Sequence, residues 1–263
     1  MTANGSQKAV GNEEQYSLAK ILGIWAIGSL PMVLLTRVVV PALAPHVRIH
    51  PGILFWWMSI LGMAWQFVVS MWIVYREEGD VRWATIRRRF WLNTPRDPET
   101  GEPRAKLFWW LVPGGLLVAG IAFGLSNYLD IAQGWVLPSL TTPLYSDQSQ
   151  LATPEFAGAW WLVGIALISS AFNYFLGEEF FFRGVLLPKM KGAFGKWDWV
   201  ANAVLFGLYH IHWAPRILSI IVETLPGNWL SRRFRSNWFQ IVIHGVEAII
   251  ALVTILAVVL GLM

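Results

Sequence analysis

The chain has no cysteine. Disulfides and cysteine-ligated zinc are therefore excluded. Charge is scarce too: 14% of residues are Asp, Glu, Lys or Arg, where a soluble domain carries about a quarter. The helix-borne zinc signature HExxH is absent, as are internal repeats and low-complexity segments. Residues 1–16 (MTANGSQKAVGNEEQY) lack the apolar core and cleavage pattern of a signal peptide. They read as a disordered cytosolic tail.

What is abundant is apolar. Of 263 residues, 56% are hydrophobic, 17 are tryptophan, and the mean hydropathy is +0.50. These values specify a polytopic membrane protein rather than a soluble one. The net charge of +4 does not argue for nucleic acid, because the basic residues cluster beside apolar segments, as membrane topology requires. The expected partners are membrane lipid and a substrate, with no nucleic acid.

A spanning helix needs about 20 apolar residues. Residues 21–43, 52–75, 107–129, 156–177 and 238–263 qualify, and the fourth is expected to continue past Glu178 to about Leu187. Between the last two, 199–213 and 217–230 are apolar but short. They read as tilted spans or a re-entrant hairpin. The fold expected is an all-α bundle of about seven transmembrane helices, two of them short or re-entrant. Its parts are the tail 1–16, an N-terminal membrane region 17–155 and a C-terminal membrane region 156–263.

Loop charge orients the bundle. Residues 76–106 carry eight Lys and Arg, and 130–155 carry none. The positive-inside rule puts the first loop, and with it the N-terminus, in the cytoplasm. Within the basic loop, Trp83, Ile86 and Phe90 share one helical face. That fits either an interfacial helix on anionic lipid or ordinary topology-setting charge.

Ionisable groups within apolar segments are few, and by default they suggest function. They are Glu178, Glu179 and Arg183 in GEEFFFRG, then His210 and His212, Glu223, and finally His244 and Glu247. Adjacent helical residues differ by about 100° in direction, so the two glutamates face different partners. Arg183 follows Glu179 by four residues and can neutralise it. Glu178 has Phe181 and Phe182 as helical neighbours, apolar surroundings that penalise its charged form and suit a general base. A purely structural ion-pair cluster reads equally well from these residue types. His210 shares a face with Asn202 and Phe206, while His212 is expected to point elsewhere. The topology lets Glu178, His210 and His244 converge at one depth. One Glu with two His can activate water with or without a metal, and the spacing leaves zinc open.

These residues resemble the CPBP family of intramembrane endopeptidases, which includes type II CAAX prenyl proteases and Abi or bacteriocin-processing proteins. EExxxR matches Glu178, Glu179 and Arg183; FxxxH matches Phe206 and His210; and a histidine in the last helix matches His244. Ala248 stands where that family commonly has asparagine. The resemblance implies a cavity open to the cytosolic side and hydrolysis of a peptide or lipidated protein by a Glu178-activated water. His210 and His244 would bind the water and the carbonyl oxygen, with Glu179 and Arg183 in support and no cofactor required. Asn202 is a candidate replacement for the missing asparagine. A non-catalytic immunity or scaffold protein is the alternative, ahead of an ion-coupled transporter, for which no repeat symmetry exists. The expected location is a bacterial plasma membrane.

Overall fold

The computed structural model describes residues 14–141, 143–214 and 216–263. The described residues form no β-strand. This follows from the sequence, since a chain crossing hydrocarbon satisfies its backbone most simply within helices. Among the described residues, five helical runs are long and apolar enough to span a membrane. We label them with the shorter helices in chain order: α1 (Leu18–His46), α2 (Pro51–Glu78), α3 (Trp83–Arg89), α4 (Ala105–Gly124), α5 (Ser126–Val136), α6 (Trp161–Lys189), α7 (Asp198–Tyr209), α8 (Ile217–Phe234) and α9 (Trp238–Val259). Large apolar side chains such as Phe123, Leu116 and Val253 face outward, as lipid-facing residues do. The protein is an integral membrane protein.

The two short segments pair as an in-and-return hairpin. α7 and α8 pack side by side, joined by the 3-10 turn His210–Trp213. Their far ends are clamped by Arg232 Nε to Asp198 Oδ2 at 2.5 Å and by Asn228 Nδ2 to the Trp199 carbonyl at 3.1 Å. Both ends of the hairpin therefore lie on the side of the basic loops.

Three features differ from the sequence reading. Residues 1–13 of the tail lie outside the described residues, but Tyr16 is buried. Its backbone N–H donates to the Lys189 carbonyl at 2.9 Å, and its hydroxyl lies 2.5 Å from Glu77 and 3.0 Å from Arg89. An aromatic ring with a polar tip can leave water when its hydroxyl finds charged partners. The third span ends at Gly124, and residues 126–136 form a new helix rather than loop. Polar groups on α5 meet α8: Ser126 donates to Glu223, and Gln133 accepts from the Leu218 N–H. On α3, Trp83 stays exposed, but Phe90 at its end is fully buried in the bundle.

Candidate active site

The site is built on a distortion of α6. Residues Phe172–Leu176 and Glu179–Leu186 are π-helical, and the Gly177 N–H reaches the Phe172 carbonyl five residues back at 2.7 Å. Such bulges recur at functional sites. Glycine is required here because a Cβ on Gly177 would lie 2.7 Å from the Phe172 oxygen and 2.8 Å from the Met63 oxygen of α2. Close approach of the α6 and α2 backbones fixes the two glutamates that follow.

Glu178 and Glu179 diverge as adjacent helical residues must, and each meets a different histidine. Glu178 Oε1 lies 3.9 Å from His210 Nε2. Glu179 Oε1 accepts from His244 Nδ1 at 2.8 Å. The sequence reading brought both histidines to Glu178; the structure gives one histidine to each glutamate. The Phe206 ring packs against both imidazoles, at centroid distances of 4.6 Å to His210 and 5.8 Å to His244.

The second pair is held by charge. Arg183 Nη1 is 3.3 Å from Glu179 Oε1, and both side chains are fully buried. Arg183 Nε also donates to Asn228 Oδ1 at 3.0 Å, and its guanidinium sits 3.8 Å over the Phe206 ring. A buried guanidinium is tolerated only with such partners. With Nδ1 of His244 bonded to Glu179, its Nε2 turns toward Glu247 Oε2 at 4.0 Å, and Tyr174 stands edge-on at 4.8 Å.

The first pair faces open space. His210 Nδ1 bonds the Phe206 carbonyl at 2.9 Å. A carbonyl only accepts, so Nδ1 carries the proton and Nε2 presents its lone pair to Glu178. A separation of 3.9 Å is too long for a direct hydrogen bond. It nevertheless allows both atoms to contact one water at about 2.8 Å each. Asn173 supports the carboxylate. With its amide orientation assigned from its partners, its nitrogen reaches Glu178 Oε2 at 2.9 Å and Oε1 at 3.2 Å.

Glu178, His210 and Asn173 line one cavity of about 120 Å³, room for a few waters rather than a peptide. His212 lines it too, stacked on His210 at 5.4 Å with Nδ1 3.1 Å from the Tyr209 carbonyl. This corrects the expectation that His212 points away: α7 ends at Tyr209, and the tighter 3-10 turn swings residue 212 beside residue 210. His244 is not among the lining residues. Asn202, the candidate for the missing asparagine, is committed elsewhere. It donates to the Phe182 carbonyl at 2.8 Å and accepts from Asn228 at 3.1 Å. Among the described residues no three His, Asp or Glu side chains are grouped to hold a metal ion. The cavity runs from Glu178 toward Gly52 and Tyr145, the end of the bundle opposite the basic loops and not the end the resemblance implies.

Comparison with known families bears on the same stretch of chain. Residues 156–250 match the Rce1-like family, described as type II CAAX prenyl endopeptidase Rce1-like. This Rce1-like region is about a third of the chain and holds both Glu–His pairs. The family is one of proteases, and the match supports the resemblance to CPBP intramembrane endopeptidases. No curated protein and no solved structure matches the chain.

Proposed function

We propose that the protein is an intramembrane endopeptidase that hydrolyses a peptide bond with a water held between Glu178 and His210. The observation that carries this reading is the 3.9 Å gap between Glu178 Oε1 and His210 Nε2, on the wall of a cavity inside an apolar bundle. Two acceptors at that spacing bind both hydrogens of one water and leave its oxygen lone pair free for a carbonyl carbon. Glu178 takes a proton as the water attacks, and returns it to the amide nitrogen as the peptide bond breaks. Asn173 holds the carboxylate in place. Glu179 and Arg183 hold His244, which packs against the Phe206 ring outside the cavity.

The test is cleavage of a peptide library by detergent-purified protein. Wild type should cleave, and Glu178→Ala and His210→Ala should lose activity while still folding. Equal cleavage in all three would refute the reading. A non-catalytic scaffold is the second reading, favoured by the small cavity and by Ala248. It requires Glu178→Gln to keep biological function.

A further inference from the structure

The distribution of charge and the position of the cavity point in opposite directions. Lys and Arg concentrate at one end of the bundle: eight in residues 76–106, three in 189–196 and three in 232–235. The other end has Arg37, Arg48 and Arg216. The positive-inside rule assigns the crowded end to the cytoplasm. The cavity belongs to the other end. On α2 its lining comes from Gly52, Phe55, Trp56, Ser59 and Met63, within the first half of the helix, whereas Glu77 and Glu78 close the helix at the basic end. Its rim is the segment carrying Tyr145, Ser146 and Asp147, together with Trp213 at the tip of the α7–α8 hairpin.

Toward the basic end the Glu178 cavity is closed. Between Glu178 and that face lie Phe180, Phe181, Phe182, Val185 and Phe90, each no more than 3% exposed. Arg89 closes the layer from below, donating to the Gly184 carbonyl at 3.0 Å and to Tyr16 Oη at 3.0 Å. A rise of about 1.5 Å per residue puts Gly52 roughly 16 Å from the level of Met63, where α2 touches Gly177. The passage is therefore a shaft on the non-basic side, floored by packed aromatics.

We propose that this cavity is entered from the extracytosolic face. Its substrate would then be a segment presented outside the membrane, such as an exported peptide or the outer flank of a membrane-spanning segment, which first meets the rim at Tyr145, Ser146, Asp147 and Trp213. The identity of that occupant as substrate rests on the proteolytic reading; the direction of access does not.

The natural absence of cysteine makes the test direct. Single cysteines are introduced at Ser59 in the cavity, at Leu144 on its exposed rim and at Lys196 on the exposed basic end. Each variant is treated with a small membrane-impermeant thiol reagent in right-side-out and inside-out vesicles. Ser59→Cys and Leu144→Cys should label in right-side-out vesicles, and Lys196→Cys only in inside-out vesicles. Ser59→Cys labelling in inside-out vesicles alone, or in neither, overturns the proposal. Repeating the Ser59→Cys experiment on a Glu178→Ala background separates the two ideas, because labelling needs no activity: a protein that labels as expected but cleaves nothing keeps the direction of access and loses the protease.

Discussion

The adjacent glutamates should respond oppositely to the same substitution. Glu179 and Arg183 are 3.3 Å apart with both side chains fully buried. At an effective dielectric of about 20 their attraction is on the order of 5 kcal/mol. Glu179→Gln removes that attraction and leaves the buried Arg183 guanidinium without a paired carboxylate, held by Asn228 and the Phe206 and Phe182 rings. Breaking one partner of a buried pair costs about 3–5 kcal/mol, so Glu179→Gln should unfold at clearly lower temperature in detergent. Among the described residues the only basic side chain within 4 Å of the Glu178 carboxylate is His210, in its neutral tautomer, at 3.9 Å. Replacing Glu178 by Gln removes a buried charge, and Asn173 can turn its amide to suit. Glu178→Gln should therefore stay within about 1 kcal/mol of wild-type stability yet lose roughly 10²- to 10⁴-fold in cleavage rate. The assays are thermal unfolding followed by size-exclusion chromatography, and single-substrate kinetics on the same preparations. Replacing Glu179 and Arg183 together with Leu should recover much of the lost stability, since well-packed apolar residues substitute for buried pairs. Equal destabilisation by Glu178→Gln and Glu179→Gln would refute the division of roles.

Other substitutions probe the supports. Gly177→Ala should destabilise by about 1–3 kcal/mol, because its Cβ meets the Met63 carbonyl oxygen at 2.8 Å; Gly164→Ala, with nothing within 4 Å of its Cβ, is the control that should be neutral or better in the same melt. Asn173→Ala should lower the cleavage rate by on the order of tenfold, the value of a hydrogen bond to a charged group, without shifting the melt comparably. His212→Phe keeps the stack on His210 and should fold normally; a fall in cleavage rate with KM unchanged would place His212 with the water rather than with substrate binding.

Much of the bundle is legible because its determinants are local. Apolar runs of spanning length, loop charge and the four-residue spacings Glu179–Arg183 and Phe206–His210 are read by assuming α-helices, and the Glu179–Arg183 pair still forms although residues 179–186 are π-helical. The parts that escape are those where the backbone leaves that geometry. Asn173 and Glu178 are five residues apart, on different faces of an α-helix, but the π-helical turn between them brings both to the cavity. His212 is misplaced for the same reason in the opposite sense, through a 3-10 turn. The burial of Tyr16 carries no local signal at all, since its partners Glu77, Arg89 and Lys189 are remote in sequence.

The two carboxylates in GEEFFFRG divide one problem. A buried carboxylate fully compensated by a guanidinium is rigid and a poor proton acceptor; an uncompensated one is a better base but costly to bury. Placed side by side on one turn, the residues take one role each. Glu179 accepts the Arg183 charge and passes its order to His244, while Glu178 spends its lone pairs on Asn173 and on the space shared with His210. The π-helical turn Phe172–Leu176 aligns Asn173 with Glu178, and the Glu179–Arg183 pair closes within the π-helical stretch that follows. The FFF run then supplies the dry floor beneath, so the carboxylate that must meet water can do so only from the cavity side. It follows that a substitution that opens the floor, such as Phe181→Ala, should admit water from the basic face and let an impermeant thiol reagent reach Ser59→Cys from both sides of the membrane.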